Sequence, residues 1–519
     1  MISISYRKVP VPFLGTICFL GLVSRYRSFI LDDAYIIYRY SQHLAQGQGL
    51  VWNIGQPPVE GYTSFLWVLL NALGILLHLD PVILSKLVSL LAALAVIWLL
   101  AWASRDAPWS LAAICVGSLA LSPPFAFLTM QGLETACATL LVFGSALLAL
   151  AVAAQPTVPA VSGWFLLAML AALARPDTVA FNGGVLLGLL ALAAVRGRGA
   201  ALRNLILAGS VFALAGGAYL AWHVAYFGKL LPTPYFIKMN LGRGVLKRSG
   251  IEYVASFVTN ILLPYLGLAA FLPWAAAGHR RGERLLPLLG GIAAFAVYLL
   301  TLFPHQGHLW RYIFPVFPVL MLILAEGFSS GQTKPASLRS RAVQILGVLG
   351  FAIWTLHLLP LTDLATSLRP IRDRELAGRA LAGLTGTMFV SESGALPYFS
   401  RWNSVDAIGL TDAAIARRGL TLADLESLNP DLVMILEVSG RYTVQERLGR
   451  IIDQYLKERG FVTVAAIHKS QGAYHFYFAR PDSPLYPEIV SRLTNIPGLE
   501  YGDFDRLLTA TGIPVCPRL

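Results

Sequence analysis

Long apolar runs separated by short polar segments fill the first two thirds of the chain. Runs of about 17–25 residues, the length that crosses a bilayer as helix, start near Val11, Val82, Trp109, Leu133, Ala160, Val179, Leu205, Tyr253, Leu285, Ile313 and Val343. They predict about eleven transmembrane helices within residues 1–361. From Thr362 the pattern changes. TMFVSES (Thr387–Ser393), DLVMILEV (Asp431–Val438), FVTVAAI (Phe461–Ile467) and YHFYFA (Tyr474–Ala479) predict strands, and Asp373–Ala382 and Val444–Lys457 predict helices. Residues 362–519 therefore read as a separate soluble domain of α/β or α+β type.

One more apolar run, Thr63–Leu79, poses a question of parity, because counting it as a span reverses the side of every later loop. Charge decides it. Without that span, Arg7 and Lys8, Arg105, the Arg196–Arg203 loop, the His279–Arg284 loop and the Lys334–Arg341 loop all fall on the cytoplasmic side. Gly61–Leu79 is therefore expected to lie in or near the outer interface, a depth that suits Tyr62 and Trp67. Arg25 and Arg27 dissent, falling outside after the first span. The same parity makes residues 362–519 extracytoplasmic, as it does the two long outer loops, 24–79 and roughly 228–252. The basic start and first apolar stretch have the outline of a signal peptide. Ser24–Ser28 offers no small-residue cleavage site, however, so that stretch reads as an uncleaved span.

Composition agrees with this picture. The 519 residues are 56% hydrophobic and only 13% charged, with mean hydropathy +0.64, which excludes a soluble protein. The net charge of +12 is accounted for by cytoplasmic loops facing anionic lipid and does not argue for nucleic acid. Cys18, Cys115 and Cys137 fall in apolar spans and Cys516 stands alone, so no disulfide framework and no metal-ligand spacing is present. Phosphate-binding GxxxxGK[ST], GxGxxG, HExxH and GxSxG motifs are all missing.

Candidate chemistry concentrates on the outer face. In LDDAYIIYRYSQHLAQGQGL, Asp32 and Asp33 open a helix that Gly47 and Gly49 end. Offsets of 4, 7 and 11 place Asp32, Ile36, Arg39 and His43 on one helical face. The plain alternative is that either aspartate caps the helix. Glu60 and Tyr62 in VEGYTSF, Glu134 in QGLETA, Arg175 and Asp177 in ARPDT, Lys238 in KLLPTPYFIK, and His305, His308 and Arg311 in FPHQGHLWRYIFP fall on the same side. Each has an innocuous reading as a cap or interfacial anchor. Together they supply basic groups for a lipid-linked phosphate and carboxylates for a hydroxyl acceptor.

The segment DDAYIIYRYSQHLAQGQGLVWNIGQPPVEGYTSFLWVLL resembles the first outer loop of GT-C type membrane glycosyltransferases, and is most similar to the actinobacterial terminal arabinofuranosyltransferase family. QGLET, the RPD pair, YFGKLLPTPYFIK and ESGALPYFSRWNSVDAIGLTD follow in the order that family shows. FPHQGHLWRYIFP departs from it, since relatives more often carry a Gly-Asp pair before the Arg.

The resemblance implies a GT-C fold with juxtamembrane helices and an active site outside the cytoplasmic membrane. It also implies a polyprenyl-phosphate sugar donor, a cell-envelope glycan, lipid or protein acceptor, and an acid in the first loop, here Asp32 or Asp33. Asp32 is the first candidate for the base because of its face shared with Arg39 and His43. Asp33 is the second, or holds the acceptor or a cation, the one cofactor left open. Arg39, Lys238, Arg175 and Arg311 are the candidates for neutralising phosphate. The competing class is a polyprenyl-linked saccharide flippase or secondary transporter, although transporters tend to place polar groups at mid-span rather than at span ends. A scaffold that works through its outer domain is a third reading.

Overall fold

The computed structural model describes residues 10–240, 248–269, 282–301, 308–327, 338–367, 369–438, 441–442, 446–470 and 472–502. The helical part opens with α1 (Pro10–Arg25), α2 (Asp32–Ala45), α3 (Phe65–Leu76), α4 (Pro81–Ala103), α5 (Trp109–Ala120) and α6 (Pro123–Met130). It continues through α7 (Thr135–Ala154), α8 (Val158–Ala174), α9 (Thr178–Val195), α10 (Gly199–Phe227) and α11 (Thr233–Asn240). Further helices at Arg248–Phe257, Leu263–Ala269, Gly282–Thr301, Phe317–Gly327, Leu338–Leu356 and Leu359–Ser367 complete it.

Among the described residues six helical segments are long and apolar enough to span a membrane, or seven if α5 and α6, bent by 43° at Leu121–Ser122, form one broken span. The runs expected from Val11, Ala160 and Ile313 are shorter apolar helices. The run from Tyr253 is interrupted by a π-helical turn at Val258–Leu262. The helix α3 has 12 residues, a reach of about 18 Å against a bilayer core of about 30 Å, so it is too short to cross. It packs on α2 instead, burying Trp67 and Val68 with Tyr35 and Tyr38.

Small residues let helices approach closely. At Gly184 in α9 a Cβ would sit 2.3 Å from the Gly290 carbonyl oxygen of the Gly282–Thr301 helix. Arg25, out of place by charge sidedness, is explained by a partner: its Nε and Nη2 donate to Asp363 at 2.9 and 2.5 Å.

The C-terminal part is a mixed sheet in the order β2-β1-β3-β6-β5, with β4 paired to β3. Its strands are β1 (Thr387–Val390), β2 (Asn403–Asp406), β3 (Leu432–Val438), β4 (Arg441–Tyr442), β5 (Val462–Ser470) and β6 (Ala473–Ala479). β1 pairs in parallel with β2 and β3, while β3–β6 and β6–β5 are antiparallel. Both faces are covered: Leu381, Met388, Met434 and Leu493 pack on one side, Phe389, Ile435, Ile452 and Phe478 on the other. β2 and β4 escape sequence reading because NSVD is polar and short and RY has two residues. After β1 the chain turns at Ser391–Gly394 into a short helix, Ala395–Ser400, and this corner meets α2.

Candidate active site

Adjacent residues on a helix point about 100° apart, and this splits the two aspartates at the start of α2. The Asp32 carboxylate turns into the C-terminal part, where it accepts hydrogen bonds from the backbone N–H of Gly394 and Ala395, both at 2.9 Å. Arg374 Nη1 lies 3.1 Å from it. The approach admits no side chain at position 394: a Cβ on Gly394 would stand 2.1 Å from the Asp32 carbonyl oxygen. Asp33 faces the other way, toward two cavities that it helps to line, with Arg311 Nη1 at 3.7 Å, the distance of an ion pair rather than of a hydrogen bond.

The expected convergence of Asp32, Arg39 and His43 does not form a site. Arg39 donates to the carbonyls of Trp52 (2.9 Å), Pro397 (2.6 Å) and Trp402 (2.8 Å) and to Asn53 Oδ1 (3.2 Å), and it stacks over the Trp52 ring. Burial pushes its guanidinium down to about 10. His43 Nδ1 is 2.9 Å from the Val51 carbonyl oxygen, and burial lowers its imidazole. Asp32 and Arg39 on that helical face are tied to the C-terminal part, while His43 holds the first loop through Val51.

Glu60 is also internal. His223 Nε2 lies 2.7 Å from its carboxylate, and burial raises the Glu60 carboxyl while His223 offsets part of that. Glu134, Arg175 and Asp177 form a buried cluster at the junction of α7, α8 and α9, with Arg175 3.3 Å from Glu134 and 2.5 Å from Asp177. The KLLPTPYFIK segment, read as a loop, ends in α11, with Pro234 and Ile237 lining a cleft. The side chain of Lys238 lies outside the described residues, as does His305.

Two cavities meet at Asp33. A cleft of about 680 Å³ is walled by Ile36, Ile37, Leu133, Ile237 and Leu410, with Asp33, Tyr62, Glu134, Arg311 and Tyr312 as its ionisable groups. A more polar chamber of about 940 Å³ is lined by Asp32, Asp33, His308, Arg369, Arg374, Glu392, Asp406 and Lys469, and by Ser391 and Ser393. Asp33, Ile36, Ile408 and Leu410 belong to both walls.

In the cleft, Arg311 Nε and Nη1 and the Tyr62 hydroxyl are buried without a hydrogen-bond partner. Buried polar groups are rarely left so, and the two residues that carry these donors line the cleft together with Asp33. Arg311 is aimed by backbone strain, since Leu309 (φ 48°) and Trp310 (φ 58°) just before it are both left-handed, a conformation non-glycine residues adopt at a cost. Among the described residues no group of three or more His, Cys, Asp or Glu is placed to hold a metal ion.

The chamber contains groups that sequence reading passed over: Arg369, Arg374, Glu392, Asp406 and Lys469. Glu392 and Asp406 stand inside the ESG and SVDAIGL stretches of the C-terminal motif, the signal that could have found them. Burial favours a neutral Glu392, but Arg374 and Lys469 more than offset it and hold the carboxyl well below its usual range. Asp406 has no such neighbour, and burial pushes it up to about 7.

A stability prediction follows from that asymmetry. Because the folded pKa of Asp406 lies above the unfolded value of about 3.9, its contribution is fully present below about pH 4 and is lost as pH rises through about 7. Between about pH 6 and pH 8.5 the wild type should lose on the order of 1 kcal/mol that Asp406→Asn does not lose. Melting temperatures of both proteins across that range check it; parallel curves would refute it.

A model of the family "Domain of unknown function (DUF8728)" matches residues 372–479. No curated protein matches the chain in sequence. Among solved structures, ArnT from Cupriavidus metallidurans bound to undecaprenyl phosphate superposes with TM-score 0.62 at 15% identity, covering 91% of this chain and 98% of that one. The apo state of the same protein gives TM-score 0.60 at 15% identity, covering 90% and 97%. With helical part and C-terminal sheet included in that overlay, the chain has the ArnT fold, the GT-C architecture that its first outer loop led us to expect.

Proposed function

We propose that the chain is an integral-membrane glycosyltransferase that moves one sugar, a pentose or hexose, from a polyprenyl-phosphate donor to an acceptor hydroxyl on the outer side of the cytoplasmic membrane. Arabinofuranose is the sugar that the sequence resemblance favours. One observation carries the reading: in the apolar-walled cleft, the unsatisfied N–H groups of Arg311 and the Tyr62 hydroxyl stand beside the Asp33 carboxylate. Donors of this kind suit phosphate oxygens, apolar walls suit the first isoprene units, and a carboxylate suits the incoming hydroxyl.

In the step we infer, the acceptor oxygen bonds to the anomeric carbon, and its proton passes to Asp33. The bond from that carbon to the phosphate oxygen breaks, and polyprenyl phosphate leaves with its charge held by Arg311 and Tyr62. Support for the donor class comes from the fold shared with a protein solved with undecaprenyl phosphate. Arg175 and Asp177 then brace the helix junction together with Glu134, which also lines the cleft, and Arg39 and His43 hold the first loop.

The test is consumption of labelled polyprenyl-phosphate sugars by the purified protein in lipid. Wild type should transfer or slowly hydrolyse a donor, and Arg311→Met should reduce that by about 10²–10³-fold, the usual effect of removing a charge-stabilising donor. If no donor is consumed while a lipid-linked saccharide crosses vesicle membranes, the carrier reading replaces this one.

A further inference from the structure

Most of the charges in the polar chamber cancel in place. Asp32 and Glu392 share Arg374, Glu392 also pairs with Lys469 at 2.7 Å, and Asp33 faces Arg311 at 3.7 Å. Two lining groups make their hydrogen bonds to uncharged atoms, although Asp33 and Glu392 lie close enough to Arg369 to favour its charge. Asp406, 2% exposed, accepts from Ser393 Oγ at 2.9 Å and from the Leu410 N–H at 2.7 Å. Arg369 donates to the Ala365 carbonyl at 3.2 Å and to His308 Nδ1 at 2.8 Å.

The sum of these charges chooses the ligand. Asp32, Asp33, Glu392 and Asp406 line the chamber with Arg369, Arg374 and Lys469, and Arg311 faces Asp33 from the adjoining cleft, so the charges come close to balance and an anionic ligand meets no large surplus of positive charge. A polyol meets what it needs: its hydroxyls donate to a carboxylate and accept from a guanidinium, both as charge-assisted bonds.

We propose that this chamber binds the uncharged saccharide end of the acceptor, with Asp406 and Arg369 engaging its hydroxyls. The word acceptor rests on the glycosyltransferase reading; the saccharide site itself does not. Ser391, Glu392, Ser393, Asp406 and Lys469 all lie within residues 372–479, so the matched domain supplies one wall of the site. Arg369 also borders an outer groove of about 1450 Å³ flanked by Arg25, Phe29 and Glu375, which gives the rest of a longer saccharide a way out.

The experiment uses the full chain in lipid nanodiscs without donor. Binding is measured for uncharged pentose and hexose oligosaccharides, for the same sugars ending in phosphate, and separately for undecaprenyl phosphate. In Asp406→Asn the new amide can donate to Ser393 Oγ while its carbonyl accepts from the Leu410 N–H, so local packing survives. The variant should bind the preferred uncharged saccharide about tenfold more weakly, the worth of one hydrogen bond to a charged group, with undecaprenyl phosphate affinity kept as the control for folding. If that control fails, Arg369→Gln, on the opposite wall, decides in its place. Failure of every uncharged saccharide to bind wild type, tighter binding of the phosphorylated ones, or wild-type affinity in both variants overturns the proposal. Saccharide binding without undecaprenyl phosphate binding supports the chamber and overturns the donor assignment instead.

Discussion

Asp33→Asn should lower sugar transfer by about 10²–10⁴-fold, the range for loss of a general base, with the melting temperature essentially unchanged. The side chain stands where the two cavities meet and is 23% exposed, facing Arg311 across 3.7 Å. Asparagine keeps its size and removes its charge and basicity. Little stability rides on so loose and partly hydrated an ion pair, so the loss should appear in kcat, with the donor still bound. Steady-state kinetics at saturating donor, together with thermal melting, test this. Wild-type turnover in Asp33→Asn would exclude the residue as base, and a large fall in melting temperature would mean that it serves the fold.

Arg374→Met should be the most damaging change to stability, at about 3–5 kcal/mol, the cost of leaving buried carboxylates without their partner. The Arg374 side chain is 2% exposed. It reaches Asp32 at 3.1 Å and Asp373 at 3.6 Å, contacts Glu392, and donates to the Pro370 carbonyl at 2.5 Å. His475, itself fully buried, bridges Asp373 and Glu392. Methionine fills much of the volume but answers none of these charges, and Asp32 would lose its tie to the Arg372–Leu381 helix. A strongly lowered melting temperature is expected, and Arg374→Lys should recover only part of it because an ammonium cannot serve several carboxylates in fixed directions. Near-wild-type stability of the Met variant would show that the backbone N–H groups of Gly394 and Ala395 suffice to hold Asp32.

How much of this was legible beforehand depended on distance along the chain. The helix starting at Asp32, the helix at Phe65–Leu76, and strands β1, β3, β5 and β6 of the C-terminal part were signalled by local patterns. The direction of each polar side chain on α2 was not. Arg39 shares a helical face with Asp32, as periodicity says, but its acceptors include Pro397 and Trp402, 358 and 363 residues away. Nothing in a window of helical length shows that this face is covered. Asp33, ranked second from the pattern, is the one that lines both cavities. Arg311 was found as a basic group in a segment read as lying on the outer side, whereas Arg369 and Arg374 fall at the start of the C-terminal part, where Asp373–Ala382 reads as a helix but nothing local marks either arginine as lining a cavity.

That separation also sets an order for biogenesis. At a synthesis rate of about 5–20 residues per second, the 358 residues between Arg39 and Pro397 take roughly 20–70 s to translate. Through most of that interval Arg39 has only Trp52 and Asn53 of its eventual partners, and the Asp32 carboxylate has none of its own. A chain that stops short of the Ala395–Ser400 helix lacks the Gly394, Ala395, Pro397 and Trp402 contacts and leaves its first loop unsealed.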